Sequence, residues 1–148
     1  MADEVRVPIA ADADIVVARG EGRALAGRLG FTRTDATLIA TAISEVGRNI
    51  LVHAGSGVVE LAEAAEDHRV AIVVIARDDG PGIPDIQSAL REGYATGDGL
   101  GLGLPGSQRL MDEFVIDTKI GKGTTVTMRK WRDRDPLEIL RPVDGADD

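Results

Sequence analysis

Glu45 and Asn49 stand four residues apart in Ser44-Glu45-Val46-Gly47-Arg48-Asn49-Ile50, within a stretch whose aliphatic residues recur at helical spacing. On a helix, side chains at i and i+4 lie one above the other, so a carboxylate and a carboxamide project together about one turn apart. A neutral carboxamide oxygen suits a Mg²⁺ that already carries phosphate oxygens and waters, where another carboxylate would repel a triphosphate. The carboxylate one turn earlier then comes within reach of a nucleophile attacking a γ-phosphate, as the base that orients it. Taken alone the pair also reads as an ordinary solvated helix pair. Two segments downstream favour the chemical reading.

The first is Asp78-Asp79-Gly80-Pro81-Gly82, an acid at the end of an apolar run followed by a glycine turn. A carboxylate at the end of a buried strand needs a donor, because desolvating it unpaired costs several kcal/mol. The exocyclic amine of adenine is one such donor, with Gly80 and Gly82 letting a base lie against the backbone; the amides of a tight turn are the other. The second segment is Gly97-Asp98-Gly99-Leu100-Gly101-Leu102-Gly103-Leu104. A glycine loop entering a helix aims free amides and the positive end of a helix dipole at one spot, which makes an anion site without a basic side chain. Leu100 and Leu102 alternate with the glycines, burying aliphatic side chains while leaving the amides free. No Gly-Lys-Ser/Thr follows and no strand directly precedes, which disfavours the P-loop and the dinucleotide fold. Arg48 is open to two readings, a phosphate neighbour or a solvent-facing charge.

Composition narrows the partners. The chain has 148 residues, 43% hydrophobic and 28% charged, enough for one domain with a full core. Cysteine is absent, which removes disulfides, thiolate metal sites and thiol nucleophiles. A net charge of -8 with 3% aromatic residues argues against nucleic acid. There is no membrane-length apolar run and no secretory start, so a cytoplasmic location without membrane attachment is expected.

The elements that must carry these residues follow from periodicity. Val5 to Ile9 suits an edge strand, and Asp12 or Asp14 can cap a helix from Ile15 to about Leu29. Thr34 is the expected cap of a second helix reaching His53, with Ile39, Ile43, Val46 and Ile50 on its apolar stripe and the Glu45/Asn49 pair on its flank. Strands are expected at 58–64, 69–76, 114–119 and 124–131, with His68 in a turn. A short helix is expected at 84–92, a lid-like loop at 93–103 and a helix at 104–111. The domain is expected to span 1–131, and 132–148 reads as a charged tail.

With these segments in order, the chain resembles the GHKL superfamily of ATP-binding domains. Glu45-x-x-x-Asn49 corresponds to its N box, Asp78-x-Gly80-x-Gly82 to G1, Gly99-x-Gly101-x-Gly103 to G2, and Gly121-x-Gly123-Thr124 to a final box. The resemblance implies a Bergerat fold, an α/β sandwich with a mixed, mostly antiparallel sheet and helices on one face. It implies ATP and Mg²⁺ as cofactors, Glu45 as the base, Asn49 as metal ligand, Asp78 as adenine reader and Thr124 as a contact near the base. Within the superfamily the chain is similar to the small serine/threonine kinases that control sigma factors, and its lid and following helix resemble the RsbT type of the bacterial stressosome. That implies STAS-domain substrates of the RsbS and RsbR types and signalling to an RsbU-type phosphatase. An RsbW- or SpoIIAB-like kinase that also binds a sigma factor, and a catalytically silent ATP-binding module, are the alternatives. Gly47, inside the N-box helix, implies close packing or a local bend, since glycine costs a helix interior about 1 kcal/mol against alanine.

Overall fold

Strands with alternating apolar residues need one covering layer, and that is how the chain is built. The computed structural model describes residues 4–83 and 103–134. In it β1 (Val5–Ile9), β2 (Gly57–Glu66), β3 (Arg69–Asp78), β4 (Glu113–Lys119) and β5 (Gly123–Asp133) form one sheet in the order β1-β2-β3-β5-β4. Helices α1 (Asp12–Arg28), α2 (Arg33–His53) and α3 (Gly103–Leu110) pack with it. The expectation was a mixed, mostly antiparallel sheet; among the described residues every pairing is antiparallel.

The register aligns the apolar residues into rows. Val7, Val59, Ala76, Val126 and Ile116 are successive cross-strand partners, and Val5, Leu61, Val74, Met128 and Phe114 form the next row. These rows share one hydrophobic core with Ile39, Ile43, Val46 and Ile50 of α2. A one-residue slip of any strand would turn its apolar set outward, so burial fixes the register. The other face carries ion pairs among its apolar residues: Glu60 pairs with Arg6 and Arg77, and Arg129 with Glu113. There the Trp131 indole N–H donates to Glu113 Oε2 at 2.6 Å, and the Arg69 guanidinium lies 3.7 Å from the ring centroid. Arg69 also bonds Glu66 across the β2–β3 turn and holds its carboxyl below the ordinary glutamate range.

Helices α1 and α2 cross closely. A Cβ on Gly47 would stand 3.1 Å from Ile15 Cγ1, tighter than ordinary contact, so this glycine serves close packing. Helix starts differ from expectation by a few residues. α1 begins at Asp12, with the Asp14 carboxylate accepting the Ala10 and Ala11 amides at 2.8 and 3.1 Å. The cap of α2 is Thr32, not Thr34, because its hydroxyl accepts the Asp35 amide at 3.1 Å.

Strand ends run longer than the apolar pattern suggests. β5 continues to Asp133, and the Arg132 side chain donates to the Leu29 carbonyl at 2.6 Å, so residues 132 and 133 belong to the sheet and not to a tail. Gly103, expected in the loop, opens α3; Pro105 fits this first turn because its missing N–H has no partner to lose there. The expected helix at 84–92, the loop from 93 to 102 and the tail from 135 onward lie outside the described residues.

Candidate nucleotide and phosphotransfer site

At one end of the covered face the apolar rows give way to polar residues. Asp78, Thr124 and Thr118 are successive partners across β3, β5 and β4, one step beyond the Ala76, Val126 and Ile116 row. They therefore face the helices. β3 runs two residues past the expected 69–76, which makes Asp78 its last residue. Beside it on β2 stands Gly57, where a Cβ would lie 3.2 Å from Asp78 Cβ and 2.9 Å from Ile50 Cγ2.

The last turns of α2 come down on this end of the sheet. Ile50 borders Gly57 and Asp78, and a Cβ on Gly80 would lie 2.6 Å from Ala54 Cβ. Asn49 and Glu45 thus share the helix and the side of the sheet that meet Asp78. Both are buried more deeply than a helix flank implies, at 3% and 6% exposure. The Oδ1 of Asn49 is shielded from solvent and has no hydrogen-bond partner among the described residues. A buried carbonyl oxygen left unpaired costs about 1–3 kcal/mol, so its retention fits a ligand supplied from outside. Among the described residues no three His, Cys, Asp or Glu side chains gather into a metal site. A single carboxamide oxygen beside a polyphosphate is the kind of donor that Mg²⁺ accepts while keeping its waters.

Of the two donors that the sequence offers Asp78, the structure shows the tight-turn amide. Asp78 Oδ1 accepts the Gly80 amide at 2.9 Å, as a tight turn requires. Oδ2 takes no part in that turn bond. The glycines of the turn answer to the protein itself: Gly80 faces Ala54, and Gly82, at φ 82°, would direct a Cβ to 2.5 Å from the Lys119 carbonyl. The close approach they permit is of helix and hairpin to the turn. Gly121 N–H donates to the Pro81 carbonyl at 2.8 Å and completes that junction.

Helix α3 docks against α2 near the base candidate, where the buried Ser107 hydroxyl donates to the Ala42 carbonyl at 3.4 Å and Leu104 is wholly enclosed. The first amides of a helix lack internal partners, so the start of α3 at Gly103 offers donors to an anion. Gly97, Gly99, Leu100, Gly101 and Leu102 lie outside the described residues. On the other side of α2, Ser44, Glu45 and Arg48 face Ile15, Val16 and Arg19 of α1 across a groove of about 420 Å³. Arg48 belongs to this groove. Glu45 lines it while standing one turn from Asn49.

Thr118 was missed by motif reasoning. Its hydroxyl lies 2.8 Å from Thr124 Oγ1 and accepts the Ile83 amide at 2.9 Å. The signal was present as period-two alternation, since Thr118 and Thr124 flank the Gly121-x-Gly123 turn at positions facing the same side.

Comparison with known proteins agrees with this arrangement. A model of the histidine kinase-like ATPase domain matches residues 9–130. The serine/threonine-protein kinase RsbT of Bacillus subtilis is 45% identical over 131 residues, which cover 88% of this chain and 98% of that protein. Anti-sigma F factors from Geobacillus stearothermophilus and Geobacillus kaustophilus are each 33% identical over 114 residues, 72% of this chain and 77% of theirs. The two-layer fold, the buried acid and amide on α2 and the extent of these matches together show that the chain belongs to the histidine kinase-like ATPase domain family, as a protein kinase.

Proposed function

We propose that this protein transfers the γ-phosphoryl group of Mg-ATP to a serine or threonine hydroxyl of a STAS-domain protein of the RsbS or RsbR type. In this reading, the transfer takes place in a stressosome and signals to an RsbU-type phosphatase in sigma-factor control. The observation that carries the catalytic part is the buried Oδ1 of Asn49, without a hydrogen-bond partner among the described residues, one helical turn from the Glu45 carboxylate. Bound Mg²⁺ would supply charge neutralisation for the polyphosphate. Asn49 Oδ1 would hold the ion. Asp78 Oδ2 accepts from the adenine amine, Thr124 borders the base, and the amides of Gly97, Gly99, Gly101 and Gly103 receive the phosphates. Glu45 takes the proton of the acceptor hydroxyl as its oxygen bonds to the γ-phosphorus. The bond from that phosphorus to the bridging oxygen breaks, and its electron pair leaves on ADP.

The identity to RsbT over nearly the whole of that protein supports a partner-switching kinase over the alternatives. The relatives named anti-sigma F factor favour a second reading, in which the chain also binds a sigma factor. One experiment separates the readings: incubation with radiolabelled ATP, Mg²⁺ and STAS-domain proteins encoded nearby, followed by co-purification. Label on a STAS protein and retention on it support the switch kinase. Retention on a sigma factor supports the second reading, and absence of label with every partner makes the chain a silent ATP-binding module.

A further inference from the structure

Thr118 lies two residues from the tip of the β4–β5 hairpin, and its hydroxyl has three neighbours. The Ile83 amide donates to it at 2.9 Å, it reaches the Gly123 carbonyl at 3.2 Å, and it lies 2.8 Å from Thr124 Oγ1. A hydroxyl has one proton and two lone pairs. The Ile83 amide can only donate, so it takes one lone pair of Thr118, and the single Thr118 proton has the Gly123 carbonyl and Thr124 Oγ1 within reach. Either threonine can donate across the 2.8 Å contact, and with the Thr118 proton on the Gly123 carbonyl the donor is Thr124. Thr124 is then left with lone pairs alone, at 5% exposure, beside Asp78, its cross-strand partner.

We infer that Thr118 is a positioning residue that sets base specificity by giving its proton to the Gly123 carbonyl and so holding Thr124 as a hydrogen-bond acceptor toward the base. This rests on the reading of the Asp78 end as the base site. Asp78 Oδ2 and Thr124 Oγ1 then present two acceptors and no donor to the six-position of a purine. Adenine places an amino group there, with two protons to give. Hypoxanthine and guanine place a carbonyl there, whose lone pairs face lone pairs. Rejecting such an analogue leaves buried polar atoms unpaired, which is the costliest mismatch a site can impose.

The test is a titration of the full-length protein with Mg-ATP and Mg-ITP, which differ in the base only at that position and the adjoining ring proton. The Kd ratio of ITP to ATP is the readout. Thr118→Val frees the Thr124 proton to turn toward the carbonyl of ITP, so the ratio should fall about tenfold, the worth of one hydrogen bond. Thr118→Ser keeps the relay and should restore it. A Thr118→Val protein that loses affinity for both nucleotides by the same factor, with the ratio intact, overturns the inference and leaves Thr118 a structural residue. Thr124→Val gives an independent reading if Thr118→Val folds poorly: removing the acceptor should weaken ATP and not ITP, and an unchanged ratio refutes the relay. A wild-type protein that binds neither nucleotide, or shows no change on Asp78→Asn, instead overturns the base site itself.

Discussion

Replacing Asn49 by alanine should make the nucleotide-free protein more stable while removing the response to Mg²⁺. The orphaned Oδ1 costs about 1–3 kcal/mol in the folded state, and alanine adds up to about 0.7 kcal/mol of helix propensity over asparagine. Against this stands the lost packing of a side chain that is 3% exposed, about 1 kcal/mol for a polar group of this size. The balance is a gain of about 1–2 kcal/mol. At about 3–4 °C per kcal/mol for a domain of this length, Asn49→Ala should melt about 3–8 °C higher. Saturating ligand reverses the order: at one hundred times Kd, the wild type gains about 2.7 kcal/mol. Thermal melts with ATP in Mg²⁺ and in EDTA should therefore cross, the wild type gaining from the ion and the variant not. An Asn49→Ala protein that melts lower than wild type without nucleotide, or keeps the full Mg²⁺-dependent increment, would refute the assignment of Oδ1 as a vacant ligand position. Selection for function at the expense of stability is the general form of this trade.

Three other outcomes follow from the same geometry. Glu45→Gln should lower kcat for phosphotransfer by about 10²–10⁴ with ATP affinity within twofold of wild type; equal losses in both would show that Glu45 acts on binding and not on proton transfer. Gly123→Ala places a Cβ 2.1 Å from the Asp78 carbonyl at φ 110°, and should cost more than about 2 kcal/mol in urea unfolding, whereas Gly20→Ala, with open space around it on α1, should be neutral or stabilising. The Glu66 carboxyl, held below its ordinary range by the Arg69 hydrogen bond, contributes stability that is present above the unfolded-state pKa and is lost as pH falls through the lower folded value. NMR titration should show its pKa rising in Arg69→Ala, and an unmoved value would remove Arg69 as the cause.

Much of the site was legible because its chemistry is carried by spacing. Glu45 and Asn49 at i and i+4 need only a helix, and the stripe of Ile39, Ile43, Val46 and Ile50 declares one. Asp78 was recognisable from the apolar run before it and the glycines after it. The reasons for those glycines were not: Gly80 and Gly82 look like room for a base, and only the fold reveals Ala54 and the Lys119 carbonyl in that room. Thr118 was hidden because its importance lies in partners 35 residues back and 6 residues on, a relation no local window contains. The cap at Thr32 was displaced to Thr34 because both threonines satisfy the composition rule, and only the bond to the Asp35 amide distinguishes them. Likewise the end of β5 could not be seen, since Arg132 reads as tail charge until it meets the carbonyl at the end of α1.

The acid and the amide of α2 ride on a single helical segment, so the distance between them is set by pitch and cannot be retuned by swinging a loop or closing one lobe on another. On the proposed reading, the spacing of the base and the metal ligand along the backbone is set once α2 is folded. Control would then come, on that reading, by admission: a partner seated in the groove between the first two helices would keep an outside hydroxyl from the carboxylate and leave the fold unchanged.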